Sequence, residues 1–294
     1  MRLTARRRHF VITSLEPILE RASQAIEAAD ALLIAAGAGM GVDSGLPDFR
    51  GAEGFWKAYP AIANLGLSFS QMANPAWFEK DPALAWAFYG HRLNLYRRTL
   101  PHLGFQLLLQ AAAQKANGYF VFTSNVDGQF QKAGFALERI VECHGSIHHL
   151  QCTQNCTPQI WDAAEIDITV DEAIFRATGL LPRCKYCHEL ARPNILMFGD
   201  HAWQAHRSDA QQTNFSEWIR GLDRPSSRLV ILEIGAGGAV PTVRYTSERT
   251  AAVTGGTLIR INPRESEVPP GHLSLPLNAG EALQRLFQKT QQSE

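Results

Sequence analysis

Short apolar runs, each closed by glycine or a turn residue, recur along the chain at Ala31–Ala36, Tyr119–Phe122, Arg139–Glu142, Leu229–Ile234 and Thr257–Ile261. Runs this short and this continuously apolar suit strands buried on both faces. Between them, Leu15–Ala29, Leu103–Lys115 and Thr242–Thr254 repeat their apolar positions at helical spacing. Strand and helix in alternation predict an α/β fold, a parallel sheet with helices on both faces. Two stretches break the alternation. Ala52–Leu100 is aromatic and helical in period, and Gly145–Arg192 carries two close cysteine pairs and little regular pattern. Both read as insertions. The expected organisation is a sheet domain from 1–51, 104–144 and 193–294, a helical insertion over 52–103 and a metal-binding insertion over 145–192.

Composition narrows the classes. The chain has 294 residues, with 28 Lys plus Arg against 28 Asp plus Glu. Such balance gives no reason to expect a nucleic-acid or membrane partner. The longest apolar stretch, Ala31–Ala36, falls far short of the roughly 20 residues of a membrane span. Arg2, Arg6, Arg7 and Arg8 are followed by no signal-like apolar run before Glu16 and read as a solvated tail. A cytoplasmic protein, monomeric or weakly oligomeric, is the expectation. Five cysteines are too few for a disulfide scaffold.

Ala31–Ala36 runs directly into Gly37-Ala38-Gly39-Met40-Gly41. Backbone approaches a pyrophosphate closely where side chains are absent, and a following helix N-terminus would add N–H donors. A dinucleotide is one reading and a plain tight turn the other. The spacing is not G-x-G-x-x-G and no clear ribose-binding acid follows about 20 residues on, which counts against a dehydrogenase. The next loop packs Pro47, Asp48, Phe49 and Arg50 together. There Arg50 suits a charge-assisted contact to phosphate or ribose, and Phe49 could shield a reactive carbon from water.

Gly37 through Arg50 closely resembles the sirtuin signature Gly-Ala-Gly-x-Ser-x-x-Ser-Gly-Ile-Pro-Asp-Phe-Arg, with Gly41 where that family usually has serine. The resemblance continues through separated motifs in the family's order over almost the whole chain. It implies a Rossmann-like NAD-binding domain with a smaller helical and zinc-binding module. It also implies cofactor contacts from Gly37, Ala38, Gly39, Asp48, Phe49 and Arg50.

Thr123-Ser124-Asn125-Val126-Asp127 follows one strand, and Cys143-His144-Gly145 follows the next. Strand ends are where open α/β sheets bind ligands. Taken singly, Asn125 and Asp127 could only cap a helix, and His144 could be structural. Sirtuins carry Thr-Gln-Asn-Ile-Asp and His-Gly at these places. By that resemblance Asn125 orders the ribose and a water, Asp127 and the Val126 backbone hold the nicotinamide carboxamide, and His144 is the general base. The implied reaction takes an acyl group from a protein lysine and yields nicotinamide and O-acyl-ADP-ribose. Ser124 stands in place of glutamine, and Gly235-Ala236-Gly237 lies where the family has Gly-Thr-Ser, so backbone donors would have to serve there. Asn262 matches the asparagine that meets the adenine ribose.

Cys152-x-x-x-Cys156 and Cys184-x-x-Cys187 offer four soft ligands on two knuckles, which suits a closed tetrahedral zinc site. His148, His149 and His188 are nearby alternatives. The acids between the pairs, such as Asp162, Glu165 and Asp167, would repel a phosphate backbone. Cys143 reads as a packed strand residue. Tyr89 and Arg92 share a helix face at i, i+3 and could grip a carboxylate, or could be a packed ring beside a solvated charge. The segment resembles the Tyr-x-x-Arg of desuccinylase and demalonylase sirtuins, with Ala73 as the small residue that widens their pocket. That implies succinyl- or malonyl-lysine as substrate. Ile195, Phe198 and Gly199 on one segment and Val240 on another are expected to edge the peptide groove. Two other readings stay open: transfer of ADP-ribose to protein or hydrolysis of NAD, and a non-enzymatic sensor of NAD or ADP-ribose.

Overall fold

The computed structural model describes residues 15–47, 62, 66–222 and 227–288. Asp48, Phe49 and Arg50 lie outside the described residues, as does the tail after Gln288. In chain order the strands are β1 (Ala31–Ala36), β2 (Tyr119–Thr123), β3 (Ile140–Glu142), β4 (Gly145–Cys152), β5 (Trp161–Asp162), β6 (Thr169–Asp171), β7 (Arg176–Thr178), β8 (Ala191–Ile195), β9 (Leu229–Ile234), β10 (Thr257–Ile261) and β11 (Leu273–Leu275). The longer helices are α1 (Glu16–Ala28), α2 (Pro82–Arg98), α3 (Leu103–Ala113), α4 (His206–Gly221), α5 (Thr242–Thr254) and α6 (Ala279–Gln288). None of the described helices is long and apolar enough to cross a membrane.

Six strands form one parallel sheet in the order β3-β2-β1-β9-β10-β11. The order steps away from β1 through β2 and β3, then resumes on its other side with β9. Such a reversal opens a crevice beyond the carboxyl ends of β1 and β9, where α/β sheets take their ligands. β1 shows why the sequence folds this way. Leu32, Ile34 and Ala36 face a core shared with α1, α3 and α6, while Ala31, Leu33 and Ala35 face a second core with α4 and α5. A strand covered on both sides needs an apolar residue at every position, and each large side chain buried contributes about 1.5–3 kcal/mol.

The sequence pattern missed β11, which is only three residues long and follows a proline-containing loop. Arg139 closes a 3₁₀ turn, so β3 begins one residue later than expected. The pattern also gave no sign that Glu233 and Arg260, register partners on β9 and β10, are both buried and joined at 2.5 and 2.9 Å.

A third core packs α2 and the short helices Phe69–Met72 and Trp77–Lys80 against β4 and β8. Asp81 caps α2 by accepting the Leu84 N–H at 3.0 Å, and Pro82 occupies the first turn, where its missing N–H costs nothing. At the other end the Lys132 ammonium donates to the carbonyls of Tyr96, Arg97 and Thr99 at 3.0, 2.7 and 2.9 Å. A cation on these terminal carbonyls also complements the helix dipole.

The stretch Gly145–Arg192 is more regular than its sequence suggested. β4 pairs antiparallel with β5 and β8, and β6 pairs with β7. A register shift between Ser146 and Leu150 disrupts the strand alternation and leaves His148 and His149 half-buried side by side. That irregularity hides the strand from a period-two reading.

Candidate active site

The crevice floor is made by two interlocked turns. β1 enters Gly37 and a 3₁₀ helix, Ala38–Ser44, rather than the α-helix expected of a dinucleotide turn. Gly39 N–H donates to Gly235 O at 3.0 Å, and a Cβ on Gly37 would lie 2.6 Å from that same oxygen. Gly235 has φ +63°. These glycines are therefore demanded first by backbone packed on backbone at the point where the sheet order reverses. The N–H groups of Gly37, Gly39 and Gly235 are bound to protein carbonyls, and that of Gly238 to the Glu265 carboxylate at 2.7 Å. Asn262 donates to Ala236 O at 2.9 Å and accepts the N–H groups of Arg264 and Glu265 at 3.0 Å each. It thus shapes the Gly235-Ala236-Gly237 turn.

Beside this floor lies a cavity of about 240 Å³, lined on one wall by Ala38, Ser124, Asn125, Val126 and Asp127. Ser124 is pinned by its N–H to Ala36 O at 3.2 Å. The Asn125 amide donates to Gly37 O at 2.9 Å, which fixes it between the ends of β1 and β2. Asp127 accepts the Gln129 N–H at 2.9 Å and is buried. Burial pushes its carboxyl up to about 6; the Gln129 N–H pulls it back, nearby Glu142 adds to the rise, and Arg92 opposes it.

His144 also lines the cavity, from the turn between β3 and β4. Helix α4 grips the preceding strand end at Glu142 in three ways. Gln211 accepts the Glu142 N–H at 3.0 Å, the Ser208 hydroxyl donates to the Glu142 carbonyl at 2.8 Å, and Arg207 binds the carboxylate at 2.5 Å. Gly145, with φ +77°, passes so close to β8 that a Cβ would meet Asn194 O at 2.0 Å. The His144 carbonyl accepts Leu196 N–H at 3.0 Å, and its Nε2 lies 3.4 Å from the Thr242 hydroxyl. Sequence reasoning missed Thr242, which comes from the start of α5, 98 positions along the chain.

The cavity is lined as well by Ala73, Tyr89 and Arg92, with Leu46, Phe69 and Tyr96. The Tyr89 hydroxyl is buried and has no hydrogen-bond partner among the described residues, and burial raises its pKa, so it remains an O–H donor. Arg92, only 6% exposed, donates from Nε and Nη2 to the Tyr96 hydroxyl at 3.2 and 3.0 Å. Tyr96 was readable as a partner from its i, i+4 spacing to Arg92 but was not singled out. Pro47, Ile195, Leu196, Met197, Phe198 and Val240 complete the lining. Phe198 N–H donates to Ala73 O at 2.9 Å, tying this segment to the helical insertion. Gly199 is not on the cavity wall. It takes φ +69° in the turn that returns Asp200 to Arg192, where a buried two-point ion pair closes at 2.6 and 3.0 Å.

Away from the cavity, the Sγ atoms of Cys152, Cys156, Cys184 and Cys187 lie within 4.8 Å of one another. Zn–S bonds of about 2.3 Å on a tetrahedron separate sulfurs by about 3.8 Å, and two of the pairs stand at 3.6 Å. The N–H groups of Gln154 and Tyr186 point at Cys152 and Cys184 sulfurs at 3.3 and 3.4 Å, the second-sphere bonds a thiolate centre uses. The four cysteines are arranged to hold a zinc ion. The neighbouring histidines are outside this cluster, and His148 instead bonds the Asp127 carbonyl at 2.9 Å.

Comparison with known proteins agrees with this geometry. Residues 37–218 match the model of the Sir2 family. An NAD-dependent protein deacylase of Leptospira interrogans is 30% identical over 254 residues, 86% of this chain and 90% of that protein. NAD-dependent protein deacylase 2 of Pyrobaculum aerophilum is 30% identical over 255 residues, 86% of this chain and 88% of its own length. Among solved structures, a Sir2 homologue in complex with NAD superposes with TM-score 0.68 at 26% identity, covering 93% of this chain and 94% of that one. A mutant Sir2 homologue bound to ADP-ribose gives TM-score 0.67 at 26% identity, covering 93% and 97%.

Proposed function

The chain belongs to the Sir2 family and is an NAD-dependent protein deacylase; from that premise we propose that its pocket selects lysines whose acyl group ends in a carboxylate, succinyl or malonyl. One observation carries the selectivity. A buried tyrosine hydroxyl without a partner among the described residues and a buried guanidinium sit one helical turn apart, and both line the cavity. Leaving such a hydroxyl unmatched costs about 1–3 kcal/mol, and an acetyl methyl could not relieve it. A terminal carboxylate accepts from both.

NAD would supply the ribose carbon that bonds the acyl oxygen, with nicotinamide as the leaving group. Around that carbon, Asn125 would orient the ribose, Asp127 would accept from the carboxamide, and His144 would take the proton from a ribose hydroxyl. Leu196, Phe198 and Val240 line the cavity, which supports an extended peptide binding beside them as an added strand.

Acetyl-, succinyl- and malonyl-lysine peptides compared by mass spectrometry, with and without NAD, test this reading. Arg92→Met is expected to lower the succinyl-to-acetyl ratio of kcat/KM about 100-fold, the equivalent of about 2.7 kcal/mol for a charge-assisted contact. Equal losses on both substrates would remove the acidic-pocket reading. ADP-ribose label left on protein instead of in O-acyl-ADP-ribose would replace deacylation with ADP-ribosyl transfer.

A further inference from the structure

β3 is the edge strand of the parallel sheet. Cys143 N–H turns inward and donates to Thr123 O of β2 at 2.9 Å, so the N–H and carbonyl of the preceding residue, Glu142, point out from the edge. Left open, such groups invite another strand. Glu142 is only 1% exposed, and buried backbone groups need partners. Two side chains of α4 supply them: Gln211 accepts the N–H at 3.0 Å, and the Ser208 hydroxyl donates to the carbonyl at 2.8 Å. Ser208 and Gln211 stand three residues apart and share a helix face. Four residues beyond Gln211, Phe215 is buried against Phe120 and Phe122 of β2, with ring centroids 5.3 and 5.8 Å apart. The aromatic contact sets where α4 lies on the sheet, and the two polar side chains carry that position to the strand end. His144 follows two residues later. Its carbonyl is held from the other side by Leu196 N–H at 3.0 Å, and Gly145 leaves no room to retreat from Asn194 O. With its main chain bracketed in this way, the histidine can shift only if the end of β3 shifts.

We propose that Ser208 and Gln211 are positioning residues for catalysis: by completing the backbone hydrogen bonds of Glu142 at the open edge of β3, they set how far His144 reaches into the cavity. The inference rests on the reading of His144 as the base that takes a proton from a ribose hydroxyl. Neither Ser208 nor Gln211 lines the cavity, so both act through the strand end. In the proposed reaction the acyl oxygen displaces nicotinamide first, and the hydroxyl is deprotonated afterwards. An ill-placed His144 should therefore slow the second stage more than the first, which loss of stability alone would not do.

Ser208→Ala removes the donor, and Gln211→Met removes the acceptor while keeping length. The two stages are read with whichever of the acetyl-, succinyl- and malonyl-lysine peptides is turned over fastest. Exchange of labelled nicotinamide into NAD reports the first stage, and formation of O-acyl-ADP-ribose the whole reaction. In the Ser208→Ala, Gln211→Met double variant, kcat for product formation is expected to fall about 30-fold, within the roughly 100-fold that a 1 Å misplacement can cost. Nicotinamide exchange should stay within about threefold, and KM for NAD and peptide should hold. Ser208→Thr, which keeps the hydroxyl, should retain most of the product-forming rate. Adding His144→Ala to the double variant should cause no loss beyond that of His144→Ala alone. Melting temperature and zinc content are measured alongside; if the double variant is misfolded, the two single variants carry the test, each with about a fivefold separation of the stages. Three results in folded variants would overturn the proposal: equal losses in both stages, unchanged product formation, or an effect confined to KM. If His144→Ala separates the stages and the α4 variants do not, only the role of α4 falls. If His144→Ala slows both stages alike, the reading of His144 as the base fails and this inference goes with it.

Discussion

In the parallel sheet, β1 divides six apolar side chains between two opposite cores. In the antiparallel module, β4 mixes Ile147 and Leu150 with Ser146, His148, His149 and Gln151, and both Ser146 and Gln151 are buried. The sheet is held by transfer of hydrocarbon out of water, which tolerates small errors in position. The module adds directed bonds. Asn194 donates to Gln151, Arg97 spans the carbonyls of Ala163 and Ile166, and Arg192 closes on Asp200. Such a network stabilises only when complete, and four cysteines pin its far end. The active site draws one wall from each region, so its shape depends on both kinds of cohesion.

Breaking the module should give the largest effect. A structural zinc contributes on the order of 10 kcal/mol to a small domain, so Cys184→Ser or strong chelation is expected to abolish deacylation. Hydrogen exchange followed by mass spectrometry should then show β4 and β8 opening while β1 and β9 stay protected. Uniform loss of protection would mean that the two regions fold as one. Strain on the sheet side should have a smaller effect. Gly235→Ala places a Cβ 2.4 Å from the Gly39 Cα at φ +63° and is expected to cost about 2–4 kcal/mol. Urea unfolding would read the loss; zinc content should hold, and an unchanged midpoint would refute the interlock.

The smallest effect sharpens the boundary between the regions. Asp127 follows a sheet strand, yet its carboxyl is buried and pushed up to about 6. Below that value it is neutral and a poorer acceptor, so KM for NAD should rise several-fold as pH falls from 7 to about 5. Asp127→Asn should flatten that limb. The same shift acts on folding with the opposite sense: its stabilisation is full below 3.8, the unfolded value, and is lost as pH rises through about 6. A KM for NAD indifferent to pH would place the carboxyl outside cofactor binding.

The legibility of the sequence follows the same division. Five of the six sheet strands announce themselves because burial on both faces leaves a continuous apolar run, as at Leu229–Ile234. The Gly37 turn, the residues after β2 and His144 were equally visible, since each stands directly after such a run. β4 was not, because a register shift interrupts its alternation. Lys132 and Thr242 act through partners on other elements, and no local pattern marks them. The glycines were legible as a turn but not as a contact between two turns far apart in sequence.

Lys132 has a mechanical consequence. By clasping three carbonyls at the end of α2, it couples the helix carrying Tyr89 and Arg92 to the short helix that follows Asp127. A bulky acyl chain that pushes α2 outward would drag this hinge-free joint along with it. Strain introduced beside Tyr89 and Arg92 would therefore reach the Asp127 side of the cavity as displacement.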